Sequence, residues 1–289
     1  MTNCGSGSES CCTGLEIPGG TYYRTYTNSG GGPTGQADPA TVSGFRLDKY
    51  LVTVGRFRQF VNAWSNGAGY APPAGSGKHT HLNNGNGLAA TGGGYEPGWV
   101  ASDDSNIAPT NANLACDATY QTWTASAGLQ ENLPLNCVSW YEAYAFCIWD
   151  GGFLASEAEF ELAAAGGSQQ REYPWGSTSP GTANQYAIYA GYFAGNSKGI
   201  APVGTATLGA GLWGQLDLAG DLFEWTLDWF ATYVNPCTDC ANLSATYRVI
   251  RGGAYNFDTT NLQPSHRGYD CCPPSARSNH IGLRCARTP

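Results

Sequence analysis

The stretch from Gly211 to Trp229, GLWGQLDLAGDLFEWTLDW, constrains this chain more than any other. Three glycines, at 211, 214 and 220, interrupt it. Each glycine inside a helix costs roughly 1 kcal/mol relative to alanine, so an ordinary amphipathic helix does not carry so many. Trp213, Phe223, Trp225 and Trp229 alternate with the acids Asp217, Asp221, Glu224 and Asp228. The pattern predicts an irregular, tightly turned backbone that buries large rings and gathers oxygen atoms. Asp217, Glu224 and the carbonyls between them suit a hard cation such as calcium, which takes about six to eight oxygens. The same acids read equally well as helix caps or a solvated face.

The rest of the composition agrees with a loop-rich fold. With 40 glycines and 16 prolines in 289 residues, long regular helices are scarce. Seventeen Tyr, nine Trp and ten Phe supply rigid bulk to hold loops in place. Hydrophobic residues make up 42% of the chain, enough for a sizeable core, while the charged share is 12%, about half the usual value. The length suits one large domain, or one domain with long insertions. A net charge of −8 and a pI near 4.9 leave no basic stripe to neutralise phosphates, so nucleic acid and anionic membrane are disfavoured partners. No apolar run approaches the roughly 18 residues of a transmembrane span. No secretory leader is legible.

There are 11 cysteines, in mostly Gly-, Asn- or Pro-rich surroundings. That usage predicts several disulfides and an extracytoplasmic location: secreted, periplasmic or cell surface. An export signal would have been removed or would lie upstream. The odd count leaves at least one thiol free or paired between molecules.

Along the chain, residues 1–14 read as a linker remnant with a small disulfide loop, and 15–289 as a single domain. Glu16 to Tyr26 alternates as a strand after a Pro-Gly turn, and Val42 to Leu51 reads as a second strand. Thr53 is an N-cap for an amphipathic helix over Val54 to Trp64. The stretch at about 66–113, rich in Gly, Asn and Pro, is a long insertion, either functional or disordered. It contains His79-Thr80-His81, which could share one face of a strand and bind a transition metal, or simply lie exposed in a loop. Ser139 caps a helix over Tyr141 to Trp149 that stops at Gly151-Gly152. Ser156 and Glu159 form a capping box for the next helix, with Glu157 a first-turn acid. Tyr173 to Gly176 is a rigid turn. Cys237 and Cys240 read as a local disulfide, because this CxxC lacks the strand and helix of a redox motif. Tyr247 to Ile250 and Ile281 to Ala286 are short strands joined by the loop 254–280.

Taken in order, DKYLVTVGRF, CVSWYEAYAFCIW, LASEAEFELAAAGG, YPWG, APVGT, DLAGDLFEW, RVIRGGAY and IGLRCA resemble the formylglycine-generating enzyme (sulfatase-modifying factor) superfamily. The match runs from about Glu16 to Arg287. The resemblance implies an α+β fold, formylglycine-generating-enzyme-like and related to C-type lectins, with little regular secondary structure. It implies a structural calcium held by the Asp217 and Glu224 side chains and the Gly220 and Leu222 carbonyls. A second family calcium site would match Asn184 and the Gln185 carbonyl, but the acid expected in Gly195 to Lys198 is missing. The resemblance also implies a Cys147–Cys285 disulfide.

The family enzyme carries two copper-binding cysteines in the loop after the Gly-Gly strand, and soft thiolates suit copper(I). Here that stretch, Asn256 to Arg267, contains no cysteine. Cys271 and Cys272 lie beyond it. Copper is therefore not expected, and an enzyme is the less favoured reading. The expected role is a ligand- or protein-binding module that uses its C-terminal loop. The recognition surface would comprise Tyr255, Asn256, Phe257, Asn261, Gln263, His266, Tyr269, Pro273, Pro274 and His280, as exposed residues on a disulfide-held loop. One alternative is a metal-dependent oxidoreductase with an altered site, using Cys271, Cys272, His266 or His280. Another is a structural surface protein that self-associates through the insertion.

Overall fold

The computed structural model describes residues 2–5, 9–65, 69–268 and 273–289. Three short helices and many short strands frame long stretches of loop. Helix α1 spans Val54–Ser65, with the Thr53 hydroxyl accepting from the Arg56 amide at 3.2 Å. Its apolar side packs Phe57 on Phe146, ring centroids 5.2 Å apart. Helix α2, Trp140–Trp149, and helix α3, Glu157–Ala165, each begin with a reciprocal capping box: Ser139 with Glu142, and Ser156 with Glu159. Both boxes satisfy amides that the first helical turn leaves without partners. Gly166, at φ 66°, closes α3 in the left-handed region that glycine enters at little cost.

A four-stranded antiparallel sheet joins the two ends of the chain, in the order Gly14–Ile17, Phe45–Asp48, Cys285–Arg287, Phe153–Leu154. The Cys147–Cys285 disulfide ties α2 to its third strand across 138 residues. The acidic-aromatic stretch forms no helix. Its second half is the strand Phe223–Trp229, central in a three-stranded sheet between Arg248–Arg251, antiparallel, and Ile281–Gly282, parallel. Position 220 requires glycine twice over: φ is 84°, and a Cβ would lie 2.4 Å from the Ile188 carbonyl.

Three further disulfides, Cys4–Cys11, Cys116–Cys137 and Cys237–Cys240, cross-link loops. Cys12 is a free, exposed thiol. Among residues 1–14, Cys4 is buried, and Glu9 reaches Lys49 at 2.7 Å. No helix among the described residues is long and apolar enough to cross a membrane.

The insertion packs onto the body, burying Leu82, Leu88, Trp99 and Ile107. His79 fastens it. The ring is fully enclosed, with Nδ1 2.9 Å from Glu96 and Nε2 3.0 Å from Glu159 of α3. Burial alone would lower its pKa, but the two carboxylates outweigh it and raise the value to about 10. His79 therefore clamps the insertion to α3 and is not an exposed loop residue; both its ring nitrogens are engaged by carboxylates. His81 lies beside it on Phe153, and burial holds its ring neutral.

Candidate functional site

The C-terminal loop is held by its main chain. The strand Arg248–Arg251 ends at Gly252 and Gly253, where the chain turns away; a Cβ at 253 would lie 2.7 Å from the Asn261 carbonyl. The fully buried Arg251 guanidinium donates to the His266 carbonyl at 2.6 Å and to the Pro264 carbonyl. It also pairs with Glu161 of α3 at 2.9 Å. Arg267 donates to both oxygens of Glu157, at 2.6 and 2.7 Å. Asp258 caps a short 3₁₀ turn, Thr259–Leu262, accepting from the Thr260 hydroxyl and amide and from Asn261. Those hydrogen bonds hold its carboxyl below the usual range, the Thr260 hydroxyl contributing most.

With the backbone fastened, several loop side chains stay at the surface. Asn256 is exposed, and Phe257, Asn261, Gln263, His266 and His280 are each partly exposed. Phe257 packs edge-on against Phe223 at 5.0 Å and against His280 at 5.2 Å. Burial, then the Arg251 charge, push His266 below its ordinary value, so it is neutral at pH 7. Tyr255 departs from the expectation of an exposed loop residue. It is 3% exposed, because its ring packs against Tyr120 at 5.7 Å. Burial raises its hydroxyl far above neutral pH. Pro273 and Pro274 are partly buried, and the Pro274 carbonyl accepts from the Trp140 amide. Tyr269, Cys271 and Cys272 lie outside the described residues.

Tyr255 and Asn256 line an open cleft of about 270 Å³ with Tyr120, Phe193 and Lys198. The last three were not foreseen. Tyr120 lies beyond the insertion and Phe193 in a glycine-rich loop, and nothing local in the sequence links either to the C-terminal loop.

The predicted ligands of the first calcium site, Asp217, Gly220, Leu222 and Glu224, are all buried. Asp217 accepts from the Gly204 amide at 2.8 Å, and Asp221 from the Ala201 amide at 3.0 Å. The second oxygen of Asp221 is buried with no hydrogen-bond partner. Glu224 receives Arg284 through both oxygens, at 2.9 Å each. Arg284 pairs with Glu224 and its charge also reaches Asp217, whereas Asp221 is eased only by the Ala201 amide; burial raises all three acids, Asp217 to about 6. The charge imbalance and the partnerless oxygen fit a hard cation. The side-chain geometry fits less well, since Arg284 takes both Glu224 oxygens. No group of three or more His, Cys, Asp or Glu side chains among the described residues is arranged to hold a metal. A calcium here would take most of its ligands from the Gly220 and Leu222 carbonyls and from the two aspartates. At the second position Asn184 is partly exposed, with its side-chain amide oxygen buried and without a hydrogen-bond partner, while Gln185 is exposed and its main-chain carbonyl accepts from the Leu208 amide at 2.9 Å.

Asp228, the fourth acid, has another task. It accepts from the Glu157 amide at 2.7 Å, which begins α3, and from the Asn242 amide at 2.9 Å. Burial raises it to about 7.

Residues 6–289 match the family described as the sulfatase-modifying factor enzyme 1-like domain, and the chain belongs to that family. It is similar to the formylglycine-generating enzyme of Thermomonospora curvata, at 28% identity over 95% of this chain and 93% of that protein. Among solved structures it superimposes on PvdO from Pseudomonas aeruginosa with a TM-score of 0.62, at 19% identity, covering 97% of this chain and 100% of that one. It also superimposes on Treponema denticola variable protein 1, with a TM-score of 0.56 at 18% identity over 96% and 95% of the two chains. Both likenesses establish the fold, which is formylglycine-generating-enzyme-like.

Proposed function

We propose that this chain is an extracytoplasmic binding module of its family, recognising a protein or small ligand through the face around Asn256 and Phe257. The observation that carries the reading is the way the C-terminal loop is anchored. Arg251 grips the backbone carbonyls of 264 and 266, so Asn256, Phe257, Gln263 and His266 are free to contact a partner. Rigid aromatic and amide side chains lose little entropy on contact. The neighbouring cleft of about 270 Å³ offers a concave seat with one cation, Lys198. The stretch Asn256 to Arg267 has no thiolate for copper(I), which argues against the oxidation carried out by the enzymes of the family. The disulfides support an oxidising compartment. Calcium has a structural role in this reading, pinning the 217–224 turn through Asp217, Asp221 and the Gly220 and Leu222 carbonyls, with Glu224 held by Arg284 instead of the ion.

Two measurements test the proposal. Purified protein is assayed with copper(I), iron(II) and oxygen on a peptide containing CxPxR; no conversion of the thiol to an aldehyde is expected, and conversion would overturn the reading. The protein is also screened against immobilised oligosaccharides and peptides. Ligands are expected whose retention falls at least about tenfold in Asn256→Arg or Phe257→Ala. Ligands indifferent to both substitutions place recognition elsewhere.

A further inference from the structure

A separate cavity of about 240 Å³ lies on another part of the molecule, between the insertion, α2 and the strands Phe223–Trp229 and Arg248–Arg251. None of the C-terminal loop residues discussed above lines it. Its central feature is Arg248, 6% exposed. The guanidinium carbon lies 3.4 Å from the Trp140 ring centre and 3.7 Å from that of Trp229. Two rings cannot share one face at those distances, so one covers each side and only the edge is open. One terminal nitrogen donates to the Leu227 carbonyl at 2.5 Å, and Nε is buried without a partner.

Arg248 differs from the other buried arginines. Arg56, Arg251 and Arg284 each reach a carboxylate within 3 Å. Among the described residues, no carboxylate lies within 4 Å of Arg248. Asp228 and Asp103 act on it only from beyond pairing distance, and a buried cation with no acid in contact is costly; burial lowers its pKa to about 9, which still leaves it charged at neutral pH. Trp140 is fixed in place by its own indole bond to the Thr226 carbonyl at 2.8 Å, so the indole wall is preformed. Asp103, partly buried, also lines the cavity and is too far away to pair with Arg248. Leu227 and Leu243 supply apolar wall between. The lining therefore offers a cation, the acids Asp103 and Glu96 (the latter already engaged by His79), aromatic faces and an apolar surface in one small, partly open cavity.

We propose that this cavity binds a small zwitterion of the amino-acid type, with its carboxylate on the open edge of Arg248, its ammonium toward Asp103 and its apolar side chain against Leu227 and Leu243. A guanidinium suits a carboxylate because its donors form a planar fork. The site is independent of the C-terminal recognition face.

The test is calorimetric titration and tryptophan fluorescence with L-leucine and L-phenylalanine, run beside their methyl esters and N-acetyl derivatives. The free amino acids are expected to bind and to perturb indole emission. Each derivative, lacking one charge, is expected to bind at least about tenfold more weakly, because a buried polar group is left unpaired. Asp103→Asn, at a partly exposed position, is expected to keep the fold and weaken the free amino acid while leaving the N-acetyl derivative unchanged. Arg248→Gln is expected to abolish binding; should that variant fail to fold, the derivatives and Asp103→Asn decide the matter. Absence of binding by both free amino acids, or equal binding by esters, N-acetyl derivatives and parents, overturns the proposal.

Discussion

Two segments of this protein are rich in polar and aromatic side chains, and they use them in opposite ways. In 217–228 the acids are enclosed: Asp217, Asp221, Glu224 and Asp228 are 5%, 1%, 1% and 4% exposed. Their carboxylates serve the interior, holding the amides of Gly204, Ala201, Glu157 and Asn242 and the Arg284 guanidinium. In 256–267 the anchoring comes from outside the loop. Arg251 holds backbone carbonyls, and loop side chains remain partly exposed. A segment whose side chains hold the core tolerates little change. One held by its main chain can change its surface without loosening the fold.

The sharpest way to break this contrast is to remove Arg284. Arg284→Ala leaves Glu224 buried without its ion-pair partner and Asp217 without the nearby positive charge. A loss of about 3–5 kcal/mol is expected, read as a fall in the urea midpoint. A much smaller loss would mean that the acids are protonated or solvated. Next is the cross-link between α2 and the C-terminal strand: replacing Cys147 and Cys285 by serine is expected to cost about 2–5 kcal/mol, measured the same way.

Calcium sharpens the contrast on the acidic side. Added at about a hundred times its dissociation constant, it is expected to stabilise the fold by about 2.7 kcal/mol, and chelation to reverse this. Asp217→Asn is expected to remove the effect. A melting temperature indifferent to calcium would assign the turn to protein contacts alone.

The His79 clamp adds a pH signature that belongs to the core and not to the loop. Its folded pKa, about 10, lies above the ordinary 6.5. The stability it contributes is whole below pH 6.5 and is lost as pH rises through about 10. Its partner Glu159 has a lowered pKa despite burial, because of the His79 charge, so the pair also weakens in acid. Denaturation across pH 6.5 to 10 should show a steeper decline for the native chain than for His79→Gln. The smallest effect is expected in the loop, where Asn256→Arg should shift stability by no more than about 0.5 kcal/mol while impairing ligand binding.

Much of the frame was legible locally. Thr53, the Ser139 cap and the Ser156–Glu159 box mark helix starts, because a cap is made within about four residues of its target. Cys237 and Cys240 are near enough in sequence to pair, as they do. The Cys147–Cys285 bridge came only from family resemblance, since spacing alone does not select one pairing among many. Glycine spacing correctly excluded a helix through 211–229. Other features were out of reach. Nothing near His79 announces Glu159, 80 residues on, and Tyr120 meets Tyr255 only once the chain is folded. The long insertion reads as loose because its composition is polar, yet four large apolar residues and one imidazolium dock it.

The sequence by itself determined what depends on near neighbours: helix caps, turns, the short CxxC bridge and the loop-dominated character of the chain. The tertiary structure alone decided which buried charges have partners. Arg284 has Glu224, His79 has two carboxylates, and Arg248 has two indoles and, among the described residues, no acid within pairing distance. The physical reason is that desolvation and pairing depend on distances of a few ångströms between residues far apart in the chain, and only the folded backbone sets those distances.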